Sequence, residues 1–223
     1  MEQQKELAIV ILIGGKSRRF GYEKGTIEIN EKPLILYQIE TLAEFDEDIF
    51  LAANSEDQVI TIQKKVDFPK KVNFTVDERA KSHLEEIFTP MIGIYSAFKE
   101  LNKRGFLKAF TLSGDAPLIK SEVIRYMINQ SKGYDCVIPR WDNGFLETLF
   151  AIYPVKPTFQ KAKQIIEEKT HFGLTKLIDE SWNINYLSVE KELKPLDSDL
   201  ISLININSPI DIEKVKSKLK GEL

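Results

Sequence analysis

Between Leu12 and Lys24 the chain reads L-x-G-G-x-S-x-R-x-G-x-x-K, directly after an apolar run over residues 7–13. An apolar strand that runs into two glycines and then a basic loop is built for a phosphorylated ligand. Gly14 and Gly15 carry no Cβ, so the backbone can approach a phosphate closely. Successive N–H groups of such a turn make an anion-binding concavity, and Arg18, Arg19 and Lys24 add cationic donors around it. The spacing is neither the G-x-G-x-x-G dinucleotide fingerprint nor a P-loop. Taken alone, it also fits a strand followed by a solvated basic turn.

A second chemical position is Asp115, between Gly114 and Pro117 after the apolar residues 109–112. A carboxylate at a strand end suits magnesium, which takes one or two carboxylates and completes its shell with phosphate and water oxygens. An ordinary Asp turn is the alternative. Asn54 closes the run 48–53. Its amide suits a nucleobase edge, and it equally suits a helix N-cap. Asn205 and Asn207 would share one face of an extended segment, holding a second substrate or capping the last helix. Two histidines, His83 and His171, and one cysteine, Cys136, lack the spacing of a zinc site. Cys136 reads as a small buried hydrophobe.

The elements that must position these residues alternate. Strands are expected over 7–13, 48–53, 73–76, 109–112, 135–138, 146–153 and 183–189. Helices are expected over 33–43, 56–65, 89–103, 121–130 with Ser121 as N-cap, 156–168, 173–180 and 210–219. The charged segment 190–199 reads as a surface loop. Such alternation implies βαβ units and a mostly parallel sheet. The expected fold is a single-domain, Rossmann-like three-layer α/β/α sandwich over residues 1–223, with 146–153 as an antiparallel edge strand. Open sheets of this kind bind ligands beyond the carboxyl ends of their strands, where the unusual polar residues fall.

Bulk properties agree with an ordinary globular protein: 223 residues, 43% hydrophobic and 29% charged. A net charge of −3 gives no reason to expect nucleic acid as a partner. No apolar run approaches the roughly 20 residues that span a bilayer, and the polar start does not resemble a signal peptide. A cytoplasmic setting without membrane contact is expected.

The loop pattern from Leu12 to Lys24 resembles the signature of the MobA-like nucleotidyltransferases. Asp115, Pro117 and Leu118 match that family's D-x-P-L. Pro90, Gly93, Ser96 and Ala97 match the segment around its G-P-L-x-G, with Thr89 where glycine is usual. Glu147 to Tyr153 is similar to E/H-P-L-F-A-x-Y, with Thr148 replacing proline. Leu203 to Asp211 resembles N-I-N-T-P-x-D-L. The resemblance implies GTP with magnesium as donor, with Leu12, Ile13, Gly14, Gly15, Lys24, Asn54, Asp77, Gly93 and Asp115 around it. It places magnesium on Asp115, charge compensation on Arg18, Arg19 and Lys24, and the acceptor, molybdopterin or molybdenum cofactor, at Asn205 and Asn207. The activity implied is transfer of GMP with release of pyrophosphate. The apoprotein of a molybdoenzyme is a further partner that this reading admits. Gly14-Gly15, in place of Ala-Gly, leans toward guanylyl over cytidylyl transfer. The alternatives are transfer to a sugar or alcohol phosphate, or a nucleotide-binding module without catalysis.

Overall fold

The computed structural model describes residues 5–14, 28–78, 89–169 and 171–219. Its first strand, β1 (Lys5–Leu12), is a continuous apolar run from Leu7 onward. Burial on both faces requires that composition. Ile9 and Ile11 enter one core and Ala8 and Val10 the other, as the two-residue period of a strand demands. A short hairpin follows, β2 (Glu28–Ile29) and β3 (Lys32–Pro33). Asn30 and Glu31 between them have φ of 51° and 63°, the left-handed pair that a two-residue hairpin turn uses.

Then come α1 (Leu34–Leu42), β4 (Asp48–Ala53), α2 (Glu56–Lys65), β5 (Val72–Val76), α3 (Pro90–Lys103) and β6 (Phe106–Ser113). After them run α4 (Ser121–Gln130), β7 (Cys136–Arg140), β8 (Phe150–Pro154), α5 (Val155–Glu168), β9 (Ile184–Ser188) and α6 (Pro209–Leu219). The seven-stranded sheet has the order β5-β4-β1-β6-β8-β7-β9. Helices α1, α2 and α4 cover the face of Ile9 and Ile11; α3 and α5 cover the face of Val10. A third apolar cluster joins Ile29, Leu34, Ile206 and Val215, seating α6 and the 204–206 segment on the hairpin.

The three-layer architecture matches expectation, and four local readings need correction. The antiparallel strand exists, but β8 is interior, paired with β6 on one side and β7 on the other. All five of its residues are buried, so it cannot stand at an edge. Ser121 is the first residue of α4; Lys120 occupies the cap position without a side-chain bond. Of the helix expected over 173–180, only one 3-10 turn, Leu174–Leu177, forms. The segment 190–199 is not simply a surface loop: a π-helical turn spans Val189–Leu193, and Leu193 and Asp197 are buried. Asp197 meets Lys120 Nζ at 3.0 Å and accepts from Ser202 N at 2.8 Å. Among the described residues no helix is long and apolar enough to cross a membrane.

Candidate active site

The carboxyl ends of β1, β4, β5 and β6 lie side by side, and Gly14, Asn54, Asp77 and Asp115 follow them. Leu12 pairs in register with Ala52 on one side and Ser113 on the other. Past the ladder, Ile13 N and Gly14 N both donate to Ala52 O at 3.0 Å. Asp77 N donates to Ala53 O at 2.9 Å, and Gly114 N to Leu12 O at 3.0 Å. The turns that carry Gly14, Asn54, Asp77 and Asp115 are thus tied to one another through the backbone.

Two buried glutamines hold these ends. Gln58 Nε2 donates to Ile13 O at 3.0 Å, and its Oε1 accepts from Asn54 N at 2.8 Å. One amide thereby joins the end of β1 to the end of β4. Gln38 Nε2 donates to Ser113 O at 2.7 Å and to Ala116 O at 2.5 Å, bracing the turn that presents Asp115. Neither glutamine was singled out from the sequence. The available signal was an amide on the apolar face of each helix, among Leu34, Ile35 and Ile39 in α1 and beside Val59 and Ile62 in α2. A polar group there must find a partner.

Gly114 is required by contact. A Cβ on it would stand 2.9 Å from Leu12 O and 3.1–3.2 Å from Ile13 atoms. Gly93, the fourth residue of α3, faces Leu12 and Asp77: a Cβ would lie 3.0 Å from Leu12 Cδ2 and 3.6 Å from Asp77 Oδ1. Gly14 lies against Asn54, with a Cβ position 3.4 Å from Asn54 N. Three expected contact residues, Leu12, Asp77 and Gly93, are therefore immediate neighbours, and Gly14 and Asn54 are another such pair. Thr89, which stands where the resembled family has glycine, is extended and caps α3 by accepting from Met91 N. That backbone needs no glycine.

Asn54 is not the helix cap. Ser55 takes that role, accepting from Gln58 N at 3.2 Å. The Asn54 side chain has no hydrogen bond within the described residues and remains available to a ligand. Asp115 is 7% exposed, and its Oδ1 accepts from Ser113 Oγ. Ile206 N donates to Asp115 O at 2.8 Å. Buried Ile206 lies between exposed Asn205 and Asn207, so both asparagines stand beside Asp115 without belonging to any strand. Asn207 N and Ser208 Oγ donate to Asp211 at the start of α6, holding that carboxyl below its ordinary range, with the Ser208 bond the larger cause.

Glu147 lines a small slot with Ser113, Ser202 and Asn205, yet drew no role of its own from the sequence. It accepts from Trp141 Nε1 at 2.7 Å, and burial raises its pKa. Cys136 is fully buried and burial pushes its thiol up, as an inert core residue requires. His171 is exposed. Gly15, Arg18, Arg19, Lys24 and His83 lie outside the described residues. No group of three or more metal-ligating side chains occurs among the described residues. A magnesium-like ion on one carboxylate, with its other ligands from phosphate and water, requires no such group.

A parallel-sheet end with close-packed glycines, an amide left without a side-chain bond among the described residues and a buried strand-end carboxylate suits a nucleotide-handling α/β enzyme. The chain belongs to the family of the MobA-like NTP transferase domain, whose model matches residues 9–182. It is 34% identical over 216 residues to a probable molybdenum cofactor guanylyltransferase of Thermococcus sibiricus, covering 95% of this chain and 98% of that one. A protein of the same description from Pyrococcus horikoshii is 35% identical over 194 residues, covering 83% and 88%. The crystal structure of molybdopterin-guanine dinucleotide biosynthesis protein A from Archaeoglobus fulgidus superposes with a TM-score of 0.75 at 25% identity, covering 96% and 99%.

Proposed function

We propose that the protein, a single nucleotidyltransferase domain over residues 1–223, transfers GMP from GTP to the molybdopterin form of the molybdenum cofactor. The products are molybdopterin guanine dinucleotide and pyrophosphate. The observation that carries the reading is Asp115, seated between two groups of residues. Gly14, Asn54, Asp77 and Gly93 lie on the β4–β5 side, and Asn205 and Asn207 lie next to its backbone carbonyl. The names of the relatives over nearly the whole chain support the choice of donor and acceptor.

In this reading the acceptor's phosphate oxygen attacks the α-phosphorus of GTP, and the bond to the β-phosphate oxygen breaks. The attacking phosphate is already anionic near neutral pH, so no general base is needed. Catalysis rests on positioning and charge compensation. Asn54 and the backbone at Gly14 and Gly93 receive the guanosine, and Asp77 adds an acceptor for its N–H or O–H groups. Arg18, Arg19 and Lys24 are assigned from the sequence pattern to the triphosphate and the departing pyrophosphate. Asp115 is the protein ligand for a divalent cation, magnesium in this reading, which when bound neutralises phosphate charge. Asn205 and Asn207 hold the acceptor. A cytoplasmic location, and hand-over of product to a molybdoenzyme apoprotein, belong to the same proposal.

The test is direct. Incubate the protein with molybdopterin, magnesium and either GTP or CTP, and identify the dinucleotide by mass. Product from GTP is expected. Product from CTP alone moves the assignment to cytidylyl transfer, and turnover only with a sugar or alcohol phosphate refutes the acceptor.

A further inference from the structure

The side of Asp115 away from β4 and β5 holds polar chemistry that the donor does not explain. Strand β8 runs antiparallel to β6, so its first residue pairs with Leu112 at the site end of the sheet. The chain just before β8 therefore arrives at the site. Glu147 stands there, in a slot shared with Ser113 and Asn205. Ser113 Oγ is bonded to Asp115, and Asn205 adjoins the Ile206 N–H that binds Asp115 O. Glu147 Oε1 takes the indole N–H of Trp141, and Oε2 has no hydrogen-bond partner among the described residues. Trp141 also lines a second, wider groove of about 400 Å³ at the carboxyl ends of β7 and β9. There the Arg140 guanidinium lies 5.0 Å from the Tyr186 ring centroid, with Ser188 and Lys191 beside it. Slot and groove thus meet across the Trp141–Glu147 bond. Together they offer a carboxylate oxygen, a stacked cation and aromatic side chains. That set suits a flat heterocycle with adjacent N–H donors.

Resting on the acceptor assigned above, we infer that Glu147, presented by Trp141, reads the acceptor's ring: it accepts from the adjacent N–H groups of a 2-amino-4-oxopteridine extending from the slot toward Arg140 and Tyr186. Guanine carries the same 2-amino-4-oxo edge. The donor residues, however, lie at the end of β1 and beyond it on the β4–β5 side, with β6 between them and β8. Burial, which already disfavours a charged Glu147, makes an unmatched ring more costly there than at an exposed carboxylate.

The probes are 6-hydroxymethylpterin phosphate, its 2,4-dioxo counterpart lacking the amino group, and GTP with magnesium, titrated by NMR against the full chain. Wild-type protein should prefer the amino ring on the order of tenfold to a hundredfold. Glu147→Gln should abolish or reverse that preference, because its amide replaces an acceptor with a donor, and GTP affinity should not move. Trp141→Phe, which keeps the carboxylate and removes the N–H that aims it, should lower the preference, and it replaces the first variant if that one fails to fold. Three results overturn the inference: a wild type indifferent to the two rings, an unchanged preference in both variants, or a loss confined to GTP, which would put Glu147 on the donor's guanine. A wild type that keeps the ring preference without binding GTP refutes guanylyl transfer and leaves the Glu147 assignment standing.

Discussion

Gln58 is the most economical place to test whether the site depends on the joined strand ends. Its buried amide gives one donor to Ile13 O and one acceptor to Asn54 N, at 3.0 and 2.8 Å. Methionine has similar length and no hydrogen bonding of use here. Gln58→Met therefore leaves the Ile13 carbonyl and the Asn54 N–H without these partners. The carbonyl sits in a residue only 2% exposed, so water cannot readily replace the bond. An unpaired buried group costs roughly 1–3 kcal/mol. Asn54 is half-buried and its N–H is partly rescued by water. The sum is about 2–4 kcal/mol, or roughly 5–15 °C in melting temperature for a chain of this size.

Gln58→Glu sharpens the test. It keeps the acceptor for Asn54 N but turns an oxygen toward Ile13 O. When ionised, the two oxygens repel; when protonated, the carboxyl restores the donor. The folded-state pKa of the introduced carboxyl should thus lie above the unfolded value. Its contribution is fully present below the unfolded pKa and is lost as pH rises through the folded one. Gln58→Glu should approach wild-type stability near pH 4 and fall below it near pH 7. The assay is thermal melting at both pH values, with GTP affinity by calorimetry at pH 7, where both variants should bind more weakly. Wild-type melting and wild-type GTP affinity in Gln58→Met would refute the claim that this amide holds the site.

Three further outcomes are expected. Asp115→Asn should lower turnover by about a hundredfold or more while melting stays within a few degrees of wild type, since the amide keeps the shape and loses the charge that holds a cation; wild-type turnover at low millimolar magnesium removes Asp115 from the metal site. Gly93→Ala should leave stability equal or improve it by up to ~1 kcal/mol, because alanine suits a helix and the only tight contact of the Cβ is with the terminal carbon of Leu12, Asp77 Oδ1 lying at ordinary contact distance, yet should weaken GTP binding about tenfold by standing between Leu12 and Asp77; calorimetry showing unchanged affinity refutes the close approach. Asp197→Ala should cost roughly 2–4 kcal/mol by unpairing Lys120 and Ser202 N, and Asp197→Asn less, in urea melts; equal losses in the two variants would mean that the Ser202 bond contributes nothing.

Much of this was legible in the residues, for identifiable reasons. Strand β4 and helix α2 match their expected spans because each has a strong local signal: a buried apolar run, and a serine cap followed by Glu56 and Asp57. Asp115, Asn54 and Asp77 were legible because a parallel sheet collects its polar chemistry at strand ends. The helix expected over 173–180 failed since local pattern cannot tell a single turn packed under α5 from a full helix. The loop reading of 190–199 failed because its charges mask Leu193 and Asp197, whose burial depends on long-range contact with the β6–α4 connection. Gln38 and Gln58 were present as polar breaks in apolar helix faces, but the carbonyls to which they donate are 45 to 78 residues away.

Glu147 shows the sharpest limit of reading sites from strand ends. The rule looks for residues that follow a strand, and in a parallel sheet that is enough. At an edge, as the sequence suggested, an antiparallel strand would carry its preceding residue away from the centre. Inserted between β6 and β7, the same strand reverses the rule: the residues before β8, and not those after it, come to the site end of the sheet, where Glu147 shares a slot with Ser113 and Ala116, which flank Asp115 in sequence. The insertion itself follows from composition, since Phe150 to Pro154 are apolar on both faces and could not be left at a border. One interior antiparallel strand thus gives the sheet two kinds of site residue. In the function proposed above, those after β1, β4, β5 and β6 receive the donor and Glu147, before β8, reads the acceptor, so that the two substrates would meet over β6 at Asp115.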